Sequence, residues 1–366
     1  MPTCKAAIFL FVSISAVSAD TNKKPVFGPP EACAGWTAVT NCVLAAFDTA
    51  DVVALHDRHR QKGDSDLRIA LVRDPMFPKK VGNIVVEFGN SRYQAVLDRY
   101  ISGEDVKISE VEAIWRNTTQ MRVWDSPLYA EFFAAVREVN LKLPRTARIK
   151  VFAADPPIDW STIRDRDSYL KFELQREQTP AQIVTQLVSA KRKVLLIYGS
   201  NHLYHTIGLT KILEARLPKR VISIGTMSGA DALQQKLRAA AGQTARPVLI
   251  SMGAPEVGRL NANEYLTQFA KPAKMAPSSM IRPGEAIKDP FTGPSQPLPP
   301  GQSPTPGPSN EGLMFPSQTV LSDLVDAYVF YGRKPTDDPV IDPDPAIYTK
   351  GGYGTELDRR KHMIGR

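Results

Sequence analysis

The sequence predicts an α/β protein: a mostly parallel β-sheet flanked by helices on both faces, with a Pro-rich insertion near the C-terminus. Three observations predict it. Short apolar runs recur along the chain, among them Val52–Leu55, Ile84–Val86 and Val194–Tyr198, and they are continuous rather than alternating. Continuous apolar runs suit strands buried on both faces, as in a parallel sheet. Between the runs lie longer stretches with apolar residues at helical spacing, two of them opened by Ser126-Pro127 and Thr179-Pro180, where a cap or proline starts a helix. Strands alternating with helices imply crossover units covered by helices on each side.

In chain order, Lys5, the apolar run Ala6–Val17 and the small residues Val17-Ser18-Ala19 have the pattern of a secretory signal peptide cleaved after Ala19. Residues 1–19 are therefore expected to be removed, placing the mature chain in a secreted or periplasmic location with no transmembrane segment. Cys4 precedes the apolar run, which does not fit a lipid anchor. Residues 20–50 form an N-terminal segment, with a helix expected from Trp36 to Phe47. Cleavage leaves Cys33 and Cys42, which in an oxidising compartment can form a disulfide or remain two buried thiols.

The α/β domain is expected over 51–270. Its first strand is read at 51–55, followed by a helix from Asp64-Ser65 to Asp74-Pro75. Asn83–Gly89 is the second strand, with helices at 91–102, 108–117 and 127–142 after it. A third strand at 148–154 runs into Asp155-Pro156-Pro157-Ile158-Asp159-Trp160, then helices at 161–176 and 180–190. Asp159 reads as a cap for the first of these. The fourth strand is Lys193–Tyr198, followed by a helix at 206–217, a strand at 221–225, a helix at 231–240 and a strand at 247–252. Residues 271–316 form a Pro-rich linker or loop, with nine prolines between 283 and 308. Residues 317–366 are expected to pack back on the α/β domain, through a strand or helix at Leu324–Tyr331 and an amphipathic helix at Thr355–Ile364.

The formal charge of +8 is spread among acids, with no basic stripe interleaved with aromatics, so nucleic acid is not the expected partner. Asn117-Thr118-Thr119 matches a glycosylation sequon, a short pattern common by chance.

The chemistry concentrates at strand ends. Only five histidines occur in 366 residues, and four of them follow predicted strands: His56 and His59, then His202 and His205. Asp57 also follows the first strand, Glu87 closes the second, and Asp155 and Asp159 follow the third. In parallel sheets such residues collect at the carboxyl edge. Glu87 is the sharpest case, because a carboxylate closing a buried run needs a partner. Histidine beside a carboxylate suits general acid–base work near neutral pH. No Gly-x-Ser-x-Gly elbow, phosphate loop or dinucleotide fingerprint is present. Two histidines with Glu87 and Asp57 also have the ligand chemistry for a divalent metal.

Val52-Val53-Ala54-Leu55-His56-Asp57-Arg58-His59, then Arg68, then Ile84-Val85-Val86-Glu87-Phe88-Gly89-Asn90, resembles the superfamily of erythromycin esterases, ChaN-like haem-binding lipoproteins and Tiki-type proteases. Asp155–Trp160 and Asp326–Gly332 also look like uncharacterised secreted bacterial members. The resemblance spans about residues 50–255 and 320–332. It implies that His59 stands for the motif histidine, Glu87 for the second acid, His202 for the later histidine and Arg68 for a site arginine. The family's Gly-Glu pair reads His56-Asp57 here.

Two functions follow as expectations. One is a hydrolase acting on an ester-like bond of a small-molecule substrate. In it His59 is the base, Glu87 and Asp57 orient or polarise it, and His202 and Arg68 stabilise negative charge. The other is a non-catalytic protein binding haem, or a divalent metal, through His56, His59 or His202. A third, blander expectation is a structural protein whose Pro-rich segment contacts a partner.

Overall fold

Seven strands form one sheet in the order β3-β2-β4-β1-β5-β7-β6. They are β1 (Val52–Asp57), β2 (Asn83–Asn90), β3 (Lys150–Asp155), β4 (Val194–Gly199), β5 (Val221–Thr226), β6 (Val248–Ser251) and β7 (Ala327–Phe330). All pairs are parallel except β6 with β7. The computed structural model describes residues 27–226, 231–242, 245–266, 315–333 and 337–365. The predicted leader and nearly all of the Pro-rich stretch lie outside the described residues.

Alternation along each strand divides the core into two layers. Val53, Leu55, Ile84, Val86, Phe88, Leu195 and Ile197 meet helices Trp36–Ala46, Lys62–Arg73, Gln94–Ser102, Ile108–Arg116 and Pro127–Leu141. Val52, Ala54, Val85, Leu196 and Tyr198 meet helices Gln178–Ser189 and Gly208–Arg216. Every residue of β1, β2, β4 and β5 is buried, which is why Val52–Leu55, Ile84–Val86 and Val194–Tyr198 read as apolar runs.

Several boundaries differ from expectation. β1 continues through His56 and Asp57, so these two are sheet residues on opposite faces rather than members of one loop. The expected helix from 161 begins only at Arg166, where Asp165 caps it by accepting the Ser168 N–H at 2.8 Å. Asp159 instead closes a local turn, accepting from the Ser161 N–H at 3.0 Å, and pairs with Arg92 at 2.8 Å. Leu324–Tyr331 contains a strand, β7, inserted between β5 and β6.

Cys33 and Cys42 form a disulfide with a Cα separation of 6.0 Å. It joins the turn Pro30–Cys33 to the first helix, and the adjoining Gly35 N–H donates to Pro247 O at 2.7 Å. The sequon asparagine is engaged on both amide atoms: Asn117 Nδ2 donates to the Tyr93 hydroxyl and Oδ1 accepts from Arg360. That residue locks the C-terminal helix Tyr353–Met363 to the body.

Candidate functional site

The four strands whose ends carry the predicted groups are neighbours in the sheet, β3-β2-β4-β1. Their carboxyl ends form one edge, and Gly199 at the end of β4 is its centre. A methyl group placed on Gly199 would stand 3.1 Å from His59 Nε2 and 3.2 Å from Glu87 Oε2. His59, reached from β1, and Glu87, on β2, therefore converge over one bare α-carbon.

His59 is held from behind. Its Nδ1 lies 3.2 Å from Asp57 Oδ2, and Trp124 packs edge-to-face on the ring at 4.5 Å. Asp57 is buried; Arg68 Nη1 donates to Oδ1 at 2.7 Å and the Tyr129 hydroxyl donates to Oδ2 at 3.3 Å. Burial pushes the Asp57 carboxyl up, but Arg68 and His59 outweigh it and leave its pKa below the usual carboxylate range. The same Tyr129 oxygen accepts from Arg60 N–H at 3.2 Å, where the chain turns through the left-handed region at φ 67°. Such a conformation is uncommon outside glycine.

Arg68 is not placed where the sequence reading put it. Its guanidinium is buried beneath Asp57, stacked among Phe88, Tyr129 and Phe132 at 4.9–5.8 Å, with Nη2 donating to Leu128 O. It braces Asp57 and faces no open space, so stabilising charge on a substrate falls to other groups.

Glu87 is 2% exposed and fully engaged. Gly199 N–H donates to Oε2 at 2.7 Å, and Arg176 Nη2 donates to Oε1 at 2.5 Å. His202 Nε2 stands 3.5 Å from Oε1. Burial would raise its pKa, yet the charges of His202 and Arg176 lower it, so the buried acid is ionised. His202 donates from Nδ1 to Glu177 Oε1 at 2.5 Å. Burial disfavours its cation, but Glu87 and Glu177 more than offset this and raise its pKa.

Asp155, closing β3, borders this group. Its oxygens accept from Thr119 N–H at 2.7 Å and Thr119 Oγ1 at 2.6 Å. Burial pushes its pKa up to about 7 despite the nearby Arg176. The Tyr198 hydroxyl, also buried here, has its pKa raised by burial and by Glu87 and Asp155.

The remaining predicted groups are elsewhere. His56 points to the opposite face from Asp57, 1% exposed, with Nε2 3.0 Å from Ser223 Oγ. Burial drops its pKa to about 3. His205 pairs with Asp326 at 2.9 Å and with the partly exposed Glu214 at 2.6 Å. Arg58 clamps Asp64 and Asp338, tying the loop after β1 to the C-terminal segment.

Arg176 and Glu177 were missed by sequence reasoning. They lie between helices Arg166–Glu173 and Gln178–Ser189, in a stretch that reads as ordinary charged helix surface. The one available signal was Glu87 itself, which required a cation.

The side chains do not fit a divalent metal: among the described residues no group of three or more His, Cys, Asp or Glu is arranged to hold one. As a haem ligand His56 is closed off by burial, and His202 has Nδ1 bound to Glu177 and Nε2 facing Glu87. Of these three, His59 has the most exposed side chain, at 35%. An open cleft of about 670 Å³ lies away from these groups, between helix Ile108–Arg116 and the C-terminal helices, lined by Arg116, Asn117, Lys350, Tyr353 and Glu356 among others.

No protein-family model matches the chain, and no curated protein matches it. Among solved structures it is similar to a Bacillus cereus protein at 12% identity and a TM-score of 0.42, over 61% of this chain and 84% of that one. It is also similar to ChaN of Campylobacter jejuni, whose structure is described with cofacial haem binding, at 15% identity and 0.36, over 52% and 86% of the two chains. A third is the type III effector HopBA1, at 17% and 0.36, over 57% and 91%. Likenesses of this size carry no argument about chemistry. The α/β class rests on the sheet itself, and any function rests on the groups around Gly199.

Proposed function

We propose that the edge around Gly199 is a metal-independent acid–base site that hydrolyses an ester-like bond, with His59 as general base. The observation that carries this is the graded exposure of a connected set. His59 is 35% exposed on its side chain while its partner Asp57 is 3% exposed; Glu87 and His202 are 2% and 14% exposed. The imidazole of His59 is the most exposed of the set, and the carboxylates of Asp57 and Glu87 beside it are buried.

Asp57 accepts the Nδ1 proton, which leaves the lone pair on Nε2, on the side of the ring that faces Gly199. A water there loses its proton to Nε2 as its oxygen attacks the ester carbon. The carbonyl oxygen takes the electron pair and becomes an oxyanion, toward which His202 contributes its charge through space, since both its ring nitrogens face carboxylates. When the carbon–oxygen single bond breaks, His59 returns the proton to the leaving alcohol, and a carboxylic acid remains. Glu87 is an ionised anchor that keeps His202 charged; it does not attack.

The Cys33–Cys42 disulfide and the leader-like N-terminus support a secreted or periplasmic setting. The test is a panel of small esters with the mature chain, with and without chelator. Turnover that survives chelator and is lost in His59→Gln and Glu87→Gln supports the hydrolase. Absence of turnover, with a Soret band on haem addition that disappears in His59→Gln, would replace it with the haem-binding alternative.

A further inference from the structure

Four charged side chains at this edge alternate in sign along one row. Arg176 donates to Glu87 at 2.5 Å, Glu87 faces His202 at 3.5 Å, and His202 donates to Glu177 at 2.5 Å. The two ends of the row, Arg176 and Glu177, are adjacent in sequence, so a single peptide unit closes it into a ring. Sheet strands deliver the inner pair, from β2 and just beyond β4; the link between two helices delivers the outer pair.

We infer that Arg176 and Glu177 are positioning residues that fix Glu87 and His202 in one geometry for the acid–base reaction; this rests on the hydrolase reading. Arg176 occupies Glu87 Oε1 and Gly199 N–H occupies Oε2, so the carboxylate has no freedom to rotate. Glu177 takes the Nδ1 proton of His202, which sets the ring plane and aims Nε2 at Glu87 and the shared edge. Neutralising Glu87 needs only one cation. A second carboxylate on the far nitrogen of His202 is needed only if the orientation and charge of that ring matter.

The groups facing the row come from every element around it. His59 approaches Glu87 from beyond β1 and Tyr129 from helix Pro127–Leu141; Asp155 and Tyr198 approach from β3 and β4. Glu173 stands beside Arg176 from the preceding helix. Glu177 supports the His202 cation and Arg176 opposes it, so the two neighbours act on the same ring in opposite directions.

The experiment compares the mature wild-type chain with Glu177→Gln, Arg176→Gln and Arg176→Lys. Histidine-ring NMR is followed through a pH titration, alongside kcat and KM on whichever ester the wild type turns over. In Glu177→Gln the His202 titration moves to lower pH; in Arg176→Gln it moves to higher pH. Arg176→Lys, which keeps the charge and guards against a misfolded variant, leaves it near wild type. The Gln variants lower kcat about tenfold or more with KM little changed. A His202 titration that stays put in a folded Glu177→Gln chain, or that moves the same way in both Gln variants, overturns the inference. If no ester is turned over but the titrations diverge as stated, Arg176 and Glu177 still fix Glu87 and His202, and the hydrolase reading falls together with the catalytic purpose of that geometry.

Discussion

The imidazole of His59 lies against the bare α-carbon of Gly199, where an added methyl carbon would fall 2.9 Å from the ring's Cε1. Gly199 has an ordinary φ of −55°, so its glycine is required by space and not by backbone conformation. Gly199→Ala is therefore expected to keep the fold, at a cost of about 1–3 kcal/mol from overpacking, while displacing His59 from Glu87. Circular dichroism and denaturant melts should show a native-like chain, and ester turnover should be strongly reduced. A variant as active as wild type would mean that the two side chains need not meet there.

Asp57 and Arg68 are both almost wholly buried, and each is the other's charge partner at 2.7 Å. Asp57→Asn leaves a buried cation unpaired, with an expected loss of about 3–5 kcal/mol, and removes the anchor of His59, lowering turnover by roughly 10²–10⁴. The double variant Asp57→Asn/Arg68→Met separates the two effects. It should recover much of the stability in a thermal melt and none of the activity.

His205 carries a pH dependence that has nothing to do with the edge. Burial disfavours its cation, but Asp326 and Glu214 raise its pKa from 6.5 to about 9. The folded state then holds a proton that the unfolded state releases first. Its stabilisation is complete below pH 6.5 and is lost as pH rises through about 9. Denaturant melts between those values should show stability falling with pH, with a shallower fall in His205→Gln. His56 works the other way: with its pKa depressed from 6.5 to about 3, it penalises folding as pH drops below 6.5. His56→Gln should flatten that acid limb if the Ser223 contact survives.

The Cys33–Cys42 bridge closes a short loop, nine positions in sequence separation. Its removal by Cys33→Ser/Cys42→Ser is expected to cost on the order of 2–3 kcal/mol through the unfolded chain. A thermal melt with and without reductant reads this directly, and equal melting temperatures would show that the N-terminal segment is held by packing alone.

The layered sheet and the meeting of His59, Glu87 and His202 were readable because both follow from strand periodicity. An unbroken apolar run marks a buried strand, and parallel strands bring their final residues to one edge. His56 was misplaced because β1 runs two residues beyond its apolar part; alternation then turns His56 and Asp57 to opposite faces. Arg68 sits on the buried stripe of its helix with Leu67, Leu71 and Val72, a position that marks it as a brace rather than a group facing substrate. Arg176 and Glu177 could not be found by pattern, because a charged pair between helices looks the same whether it faces water or a buried acid. The place of β7 was also hidden, since chain order says nothing of which strands become neighbours.

That place has a bearing on how the protein is made. β7 supplies both the parallel partner of β5 and the antiparallel partner of β6. Until the ribosome has passed Phe330, one side of the sheet lacks its interior strand and presents unpaired backbone on an apolar surface. Folding of this half thus waits on synthesis of β7. A chain stopped short within the Pro-rich stretch would have the whole Gly199 edge in its sequence and still be a candidate for aggregation and proteolysis.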